Sequence, residues 1–149
     1  EKLARESLGL ALILTQRDSA VGILSAAKHE RILREVRDGA FVTVGIAQLT
    51  TSRQGQTPAM RLEGDRLNGL IPWATRAIKA KYVIAGASSE RGQMLFALPT
   101  SAPGVTIEPP MRMVTLTETF TSSIRCENVS FDPDWLLLGP VKAITNSIF

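Results

Sequence analysis

At 149 residues the chain is long enough to bury a core, and it suits one domain or one domain with a helical appendage. A hydrophobic fraction of 44% with 21% charged residues is ordinary for a globular protein, and a formal charge of +3 is too small for a nucleic-acid footprint. The single cysteine, Cys126, excludes an internal disulfide framework and fits a reducing compartment, and the longest apolar run, Leu8 to Leu14, is far below the roughly 18 residues of a membrane span.

In chain order, Lys2 to Gln16 has helical periodicity: Leu3, Ser7, Leu10 and Leu14 form one stripe, widened by Leu8, Ala11 and Leu12. Asp18 and Ser19 are cap-type residues, which predicts a restart and a second helix over Ala20 to Ala27. His29 is the only histidine and has no Asp or Cys pattern around it, so it reads as a helix-packing or surface residue. A polar helix follows with Ile32, Leu33 and Val36 at helical spacing, closed by Gly39, which tolerates positive φ. Its basic residues Lys28, Arg31, Arg34 and Arg37 alternate with Glu30, Glu35 and Asp38, the pattern of a solvated helix face.

From Phe41 the pattern changes. Phe41 to Leu49 is β-branched and apolar on both faces and reads as a buried strand, followed by a polar loop through Gly55. Pro58 to Glu63 and Arg66 to Ile71 flank Gly64-Asp65, a hairpin signal. At the end of that hairpin stands Pro72-Trp73-Ala74-Thr75. Strand positions i and i+2 share a face, so Trp73 and Thr75 can present one π-surface and one hydroxyl to the same planar ligand. The same residues also suit a core or interface tryptophan beside a plain turn. Arg76 to Ala80 reads as a short helical turn.

Tyr82 to Ala87 and Gln93 to Leu98 form a second strand pair across Ser88 to Gly92. Pro99, Pro103-Gly104 and Pro109-Pro110 punctuate a connector around Val105 to Ile107. Met113 to Leu116 and Ser122 to Phe131 read as further strands, and Trp135 to Gly139 as a closing segment with Trp135 as its anchor. Met60, Met94, Met111 and Met113 suit gap-filling core or rim positions. Helices first, then close-spaced strands without helices between them, predict an α+β protein with an antiparallel β-barrel or sandwich. No residue pattern points to a metal site or assigns a catalytic residue. The chain opens inside one helical pattern and stops at Phe149 inside another, which reads as a fragment of a longer polypeptide.

Two helices, an all-β middle, and the order Thr50, Gly55, Trp73-Ala74-Thr75, Pro103-Gly104-Val105, Asn128 to Phe131 and Leu136 to Gly139 together resemble the acyl-CoA dehydrogenase family. The resemblance implies three parts: the end of an N-terminal helical domain at 1–39, a middle β-barrel domain at 40–139, and the start of a C-terminal helical bundle at 140–149. It implies a fragment of a larger flavoprotein whose barrel holds the isoalloxazine of FAD. Matched to the family's flavin loop and tryptophan-X-threonine motif, the cofactor contacts are Ala47, Leu49, Thr50, Gly55, Gln56, Trp73 and Thr75. Departures from the family pattern mark a divergent member: Thr51-Ser52 for Glu-Pro, Gln56-Thr57 for Ser-Asp, and Thr115-Leu116-Thr117 without a glycine.

The implied reaction is α,β-dehydrogenation of an acyl-CoA thioester in fatty acid metabolism, with hydride transfer to flavin N5. The family's glutamate base comes from the C-terminal bundle, so neither Glu118 nor Glu127 is assigned that role and no catalytic residue is expected in this chain. The resemblance also implies a homodimer or homotetramer in the cytoplasm, or in the mitochondrial matrix of a eukaryote. Two rivals remain open. One is a flavin-dependent monooxygenase or nitroalkane-oxidase-like enzyme on the same scaffold, with FMN possible in the monooxygenase case. The other is a degenerate binding subunit without flavin.

Overall fold

The computed structural model describes residues 7–51 and 59–144, with the side chains of Thr50 and Thr51 outside that description. Helix α1 (Leu8–Ala26) starts at Ser7, whose hydroxyl accepts from the Leu10 amide at 3.1 Å. It runs without interruption, so the expected restart at Asp18-Ser19 does not occur. Both residues lie on the exposed side of the helix, and Asp18 pairs with Arg17 at 3.2 Å rather than capping backbone. Helix α2 (Glu30–Arg37) is closed by Gly39, whose φ of 105° confirms its role as a left-handed stop.

Eight strands follow in one mixed sheet: β1 (Val42–Gly45), β2 (Met60–Glu63), β3 (Arg66–Ala74), β4 (Tyr82–Ser89), β5 (Gly92–Pro99), β6 (Val105–Ile107), β7 (Ser122–Ser130) and β8 (Leu136–Val141). Their order is β6-β7-β3-β2-β4-β5-β8, with β1 added beside β4. Most pairs are antiparallel, but β1 and β2 each meet β4 in parallel, which the sequence reading did not anticipate. Strand β8 runs to Val141, two residues beyond the closing segment expected at Trp135 to Gly139. Among the described residues no helix is long and apolar enough to cross a membrane.

The β4–β5 hairpin is the spine. Strand alternation sends Val83, Ala85, Ala87, Met94, Phe96 and Leu98 into the core enclosed by the sheet, alongside Leu67, Ile71, Ile124 and Cys126. The opposite face sends Tyr82, Ile84 and Ala97 against Leu24, Ile32 and Val36 of the helices. Cys126, buried in the first of these cores, has its thiol pushed up to about 12 by burial, so it is an inert apolar filler. Phe96 meets Phe131 edge-to-face at 5.3 Å, and Phe131 meets Trp135 at 5.7 Å, so Trp135 does fasten the closing segment to this core.

Polar contacts seal the helices to the sheet. Tyr82 donates to Glu35 Oε2 at 3.0 Å, Lys81 Nζ lies 2.8 Å from the same carboxylate, and Arg31 reaches Asp134 at 2.8 Å. The Lys81 hydrogen bond, with help from Tyr82 and Arg31, holds the Glu35 carboxyl below its usual value. His29 Nε2 donates to the Asp134 carbonyl at 2.9 Å, as suits a packing residue.

Two strand expectations fail for local reasons. The strand expected over Phe41 to Leu49 stops at Gly45, and Ala47–Thr51 forms a short helix, α3. The Gln48 side-chain amide donates to the carbonyls of Gly45 at 2.9 Å and Gly86 at 3.0 Å, bending the chain off the sheet. Met113 to Leu116 forms no strand. Its middle residue Val114 is fully exposed, and Leu116 takes a left-handed φ of 60° that no strand accepts.

Candidate functional site

A cleft of about 460 Å³ opens where α1, the end of β1, α3, the end of β3 and the connector to β7 meet. Leu12 and Gln16 come from α1, Val44 to Ala47 from the β1–α3 corner, and Trp73 and Thr75 from the end of β3. Met111, Met113, Leu116 and Thr121 close the far side.

The geometry of Trp73 has a specific cause. Strand β3 pairs Ile71 with Ile124 and Ala74 with Ser122, so three steps on β3 match two on β7. That extra residue is a bulge, and it breaks the alternation that would have turned Trp73 inward with Ile71. Ile71 is fully buried while Trp73 is 52% exposed. Thr75, just beyond the strand, is only 8% exposed, and among the described residues its hydroxyl has no hydrogen-bond partner. Arg76 follows at a φ of 54°, its amide donating to the Thr119 carbonyl at 2.9 Å, which fixes the chain direction after Thr75.

Of the residues expected to contact a cofactor, the structure brings Ala47, Trp73 and Thr75 to this cleft. It places the Leu49 side chain elsewhere: buried with Leu95 and Ile144, and lying over Gly86 in the space a Cβ would need. Thr50 is described only as backbone of α3, and Gly55 and Gln56 lie outside the described residues. A second cavity, about 730 Å³, lies between α1, β1, β5 and β8. It is larger, but its walls are chiefly small and aliphatic side chains such as Gly22, Ile23, Ala26, Leu137 and Leu138, with only Gln16 and Ser19 polar. The smaller cleft is the candidate site because it combines an exposed indole with the hydroxyl of Thr75, which has no partner among the described residues.

No family model and no curated protein matches the sequence. Solved structures do. The glutaryl-CoA dehydrogenase of Mycobacterium smegmatis in complex with FADH2 is 26% identical over 71% of this chain and 28% of its own, with a TM-score of 0.56. Another structure of glutaryl-CoA dehydrogenase from the same organism superposes over 87% of this chain and 36% of its own at a TM-score of 0.71 and 22% identity. The acyl-CoA dehydrogenase of Slackia heliotrinireducens DSM 20476 matches at 0.60 and 19% identity, over 86% of this chain and 37% of its own. The chain has the acyl-CoA dehydrogenase fold, in a divergent form. It spans 28% to 37% of the length of these three neighbours.

Within this acyl-CoA dehydrogenase fold, the cleft residues that sequence reasoning missed include Leu12 and Gln16 on α1, Val44 to Ile46 at the end of β1, and Leu116 and Thr121 before β7. Periodicity assigned Leu12 to a helix stripe and Gln16 only to the end of that helix; Val44 to Ile46 and Leu116 were read as strand, and nothing local marks Thr121. Met111 and Met113 were expected in the core or at a rim, and the rim of the cleft is where they lie.

Proposed function

We propose that this chain is the flavin-holding middle part of an FAD-dependent, acyl-CoA dehydrogenase-like oxidoreductase acting on an acyl-CoA or related thioester. The observation that carries the reading is the pairing, in one cleft, of Trp73, 52% exposed, with Thr75, a residue 8% exposed whose hydroxyl is unpartnered among the described residues. A hydroxyl at the wall of a cleft is available to hydrogen-bond an occupant, a contribution of about 0.5–1.5 kcal/mol. A planar heteroaromatic ring meets both demands, by stacking or edge contact with the indole and by a polar atom against the hydroxyl. The Mycobacterium smegmatis glutaryl-CoA dehydrogenase is in complex with FADH2, whose oxidised form carries a ring of this kind.

When bound, FAD supplies the hydride acceptor for an α,β-dehydrogenation. Toward it, Trp73 would shield one edge of the ring and Thr75 would hydrogen-bond a ring heteroatom, together orienting the ring and excluding water from that edge. Ala47, Thr50, Gly55 and Gln56 contribute the loop contacts. Leu49 acts indirectly, through its buried side chain, by fixing α3. The carboxylate base comes from outside this chain. Residues 1–39, 40–139 and 140–149 belong to the N-terminal helical, middle and C-terminal parts of a protein that assembles as a homodimer or homotetramer.

The test is the visible absorbance spectrum of the full-length protein after incubation with FAD and desalting. A retained yellow chromophore is expected. Thr75→Val should keep the fold and weaken FAD binding about 2- to 10-fold, the equivalent of one hydrogen bond. A full-length, folded protein that stays colourless overturns the proposal.

A further inference from the structure

The Thr119 hydroxyl lies 2.7 Å from the carbonyl oxygen of Leu116. A carbonyl has no hydrogen to give, so at that separation the proton comes from Thr119. A hydroxyl carries one proton. Thr119 Oγ1 is also 2.9 Å from Thr121 Oγ1, and with its proton engaged at Leu116 it can only accept there. Thr121 therefore donates to Thr119. Whatever hydrogen bond the Thr121 hydroxyl makes with an occupant of the cleft, it makes as an acceptor.

This polarity is held firmly. Thr119 is fully buried and Thr121 is 9% exposed. Their main chains are tied as well: the Thr119 carbonyl accepts from Arg76 at 2.9 Å, and the Thr121 carbonyl accepts from Met111 at 2.8 Å. Leu116 and Phe120 hold left-handed φ values of 60° and 45° on either side of Thr119. Backbone strain of that kind persists only where surrounding bonds over-determine the conformation. Thr75, in the same cleft, has no such constraint on its hydroxyl and can donate or accept.

We infer that Thr121 is a ligand-contacting, specificity-determining residue of the cleft: its hydroxyl, turned into a pure acceptor by Thr119, takes an N–H of the occupant. The inference rests on the flavin reading above. The oxidised isoalloxazine carries one ring N–H, at N3, and its acceptors are N1, N5 and the two carbonyl oxygens. Thr121 therefore pairs with N3–H.

The experiment uses the full-length protein stripped of FAD and titrated with lumiflavin and with 3-methyllumiflavin. The two probes differ only in whether N3 carries a hydrogen or a methyl group, and neither has a ribityl chain. Dissociation constants come from quenching of flavin fluorescence. The wild-type protein should prefer lumiflavin by about three- to tenfold, the range of one hydrogen bond. In Thr121→Val the preference should collapse toward unity, because valine keeps the bulk and removes the acceptor. Thr121→Ser should retain it, which also controls for folding. Thr119→Val frees the Thr121 proton, so that Thr121 can turn and donate, and it should lower the preference as well.

Equal binding of the two probes by wild type overturns the inference, and so does a preference that survives unchanged in Thr121→Val, since the methyl group's bulk would then account for it. In both cases FAD retention by the wild-type protein leaves the flavin reading standing. A protein that takes up neither FAD nor lumiflavin overturns the flavin reading and the N3 assignment together.

Discussion

The β4–β5 hairpin and the connector from Met111 to Phe120 are built on opposite terms. The hairpin pairs Tyr82 through Ser89 with Gly92 through Pro99 without a register shift, and buries both of its faces. The connector has no strand, two non-glycine residues in left-handed backbone, and exposed apolar side chains at Met111, Val114 and Phe120. Yet the connector, not the hairpin, supplies Met111, Met113 and Leu116 to the cleft, with Thr121 just beyond it. Stability is concentrated where packing is regular, and the site is assembled from segments whose backbone answers to hydrogen bonds and ligand geometry instead.

The sharpest way to break that contrast is a pair of truncations. Phe96→Ala removes a fully buried ring that holds Phe131 edge-to-face at 5.3 Å, and should cost about 3–5 kcal/mol in equilibrium urea unfolding of the full-length protein. Val114→Ala on the connector should change stability by less than about 0.5 kcal/mol. Comparable losses at the two positions would mean that the connector is part of the cooperative core.

A smaller effect, of opposite sign, comes from the strand beside the hairpin. Thr43 in β1 is fully buried, and among the described residues its hydroxyl has no partner. It shares a strand face with Gly45, where a Cβ would stand 2.7 Å from Ile71 and 3.2 Å from Val83, so that face looks into apolar core. Thr43→Val keeps the shape and removes the orphan hydroxyl, and should stabilise by about 1 kcal/mol, seen as a higher thermal midpoint. A destabilised variant would reveal a hydrogen bond to Thr43 that this arrangement lacks.

The smallest effect is a pH dependence at the edge of the hairpin, where Tyr82 and Lys81 hold Glu35. Because the folded carboxyl is held below its usual 4.5, its contribution is present above 4.5 and is lost as pH falls through the lowered folded value. Wild type should therefore lose stability relative to Glu35→Gln as pH drops below 4.5, with the two curves parallel above it. Denaturation midpoints that differ by a constant amount across that range would remove Glu35 from the acid sensitivity.

Legibility in the sequence follows the same division. The hairpin was readable because alternation over Tyr82 to Ala87 and Gln93 to Leu98 is the direct imprint of two buried faces. The Gly64-Asp65 turn and the Gly39 stop were readable because glycine supplies a backbone that other residues avoid. Trp73 and Thr75 stood out as an aromatic and a hydroxyl at a strand end, but the bulge that exposes Trp73 is set by pairing with β7, nearly 50 residues later in the chain. The α3 turn was hidden because its cause is a Gln48 side chain reaching a carbonyl on β4. Thr119 and Thr121 carried no signal at all, since two threonines in an irregular segment acquire direction only when Leu116 is folded against them.

Leu49 occupies the room left by the missing side chain of Gly86, and that arrangement links two volumes far apart in sequence. One residue is large because the other is absent, so the two positions are a single steric quantity divided between a helix and a strand. A gain of even one carbon at position 86 meets the end of the Leu49 side chain, which must turn aside or shift α3, and Ala47 with it. Drift in this sequence at either position is therefore coupled to the other, and its first consequence falls on the shape of the cleft wall, before the hairpin itself is disturbed.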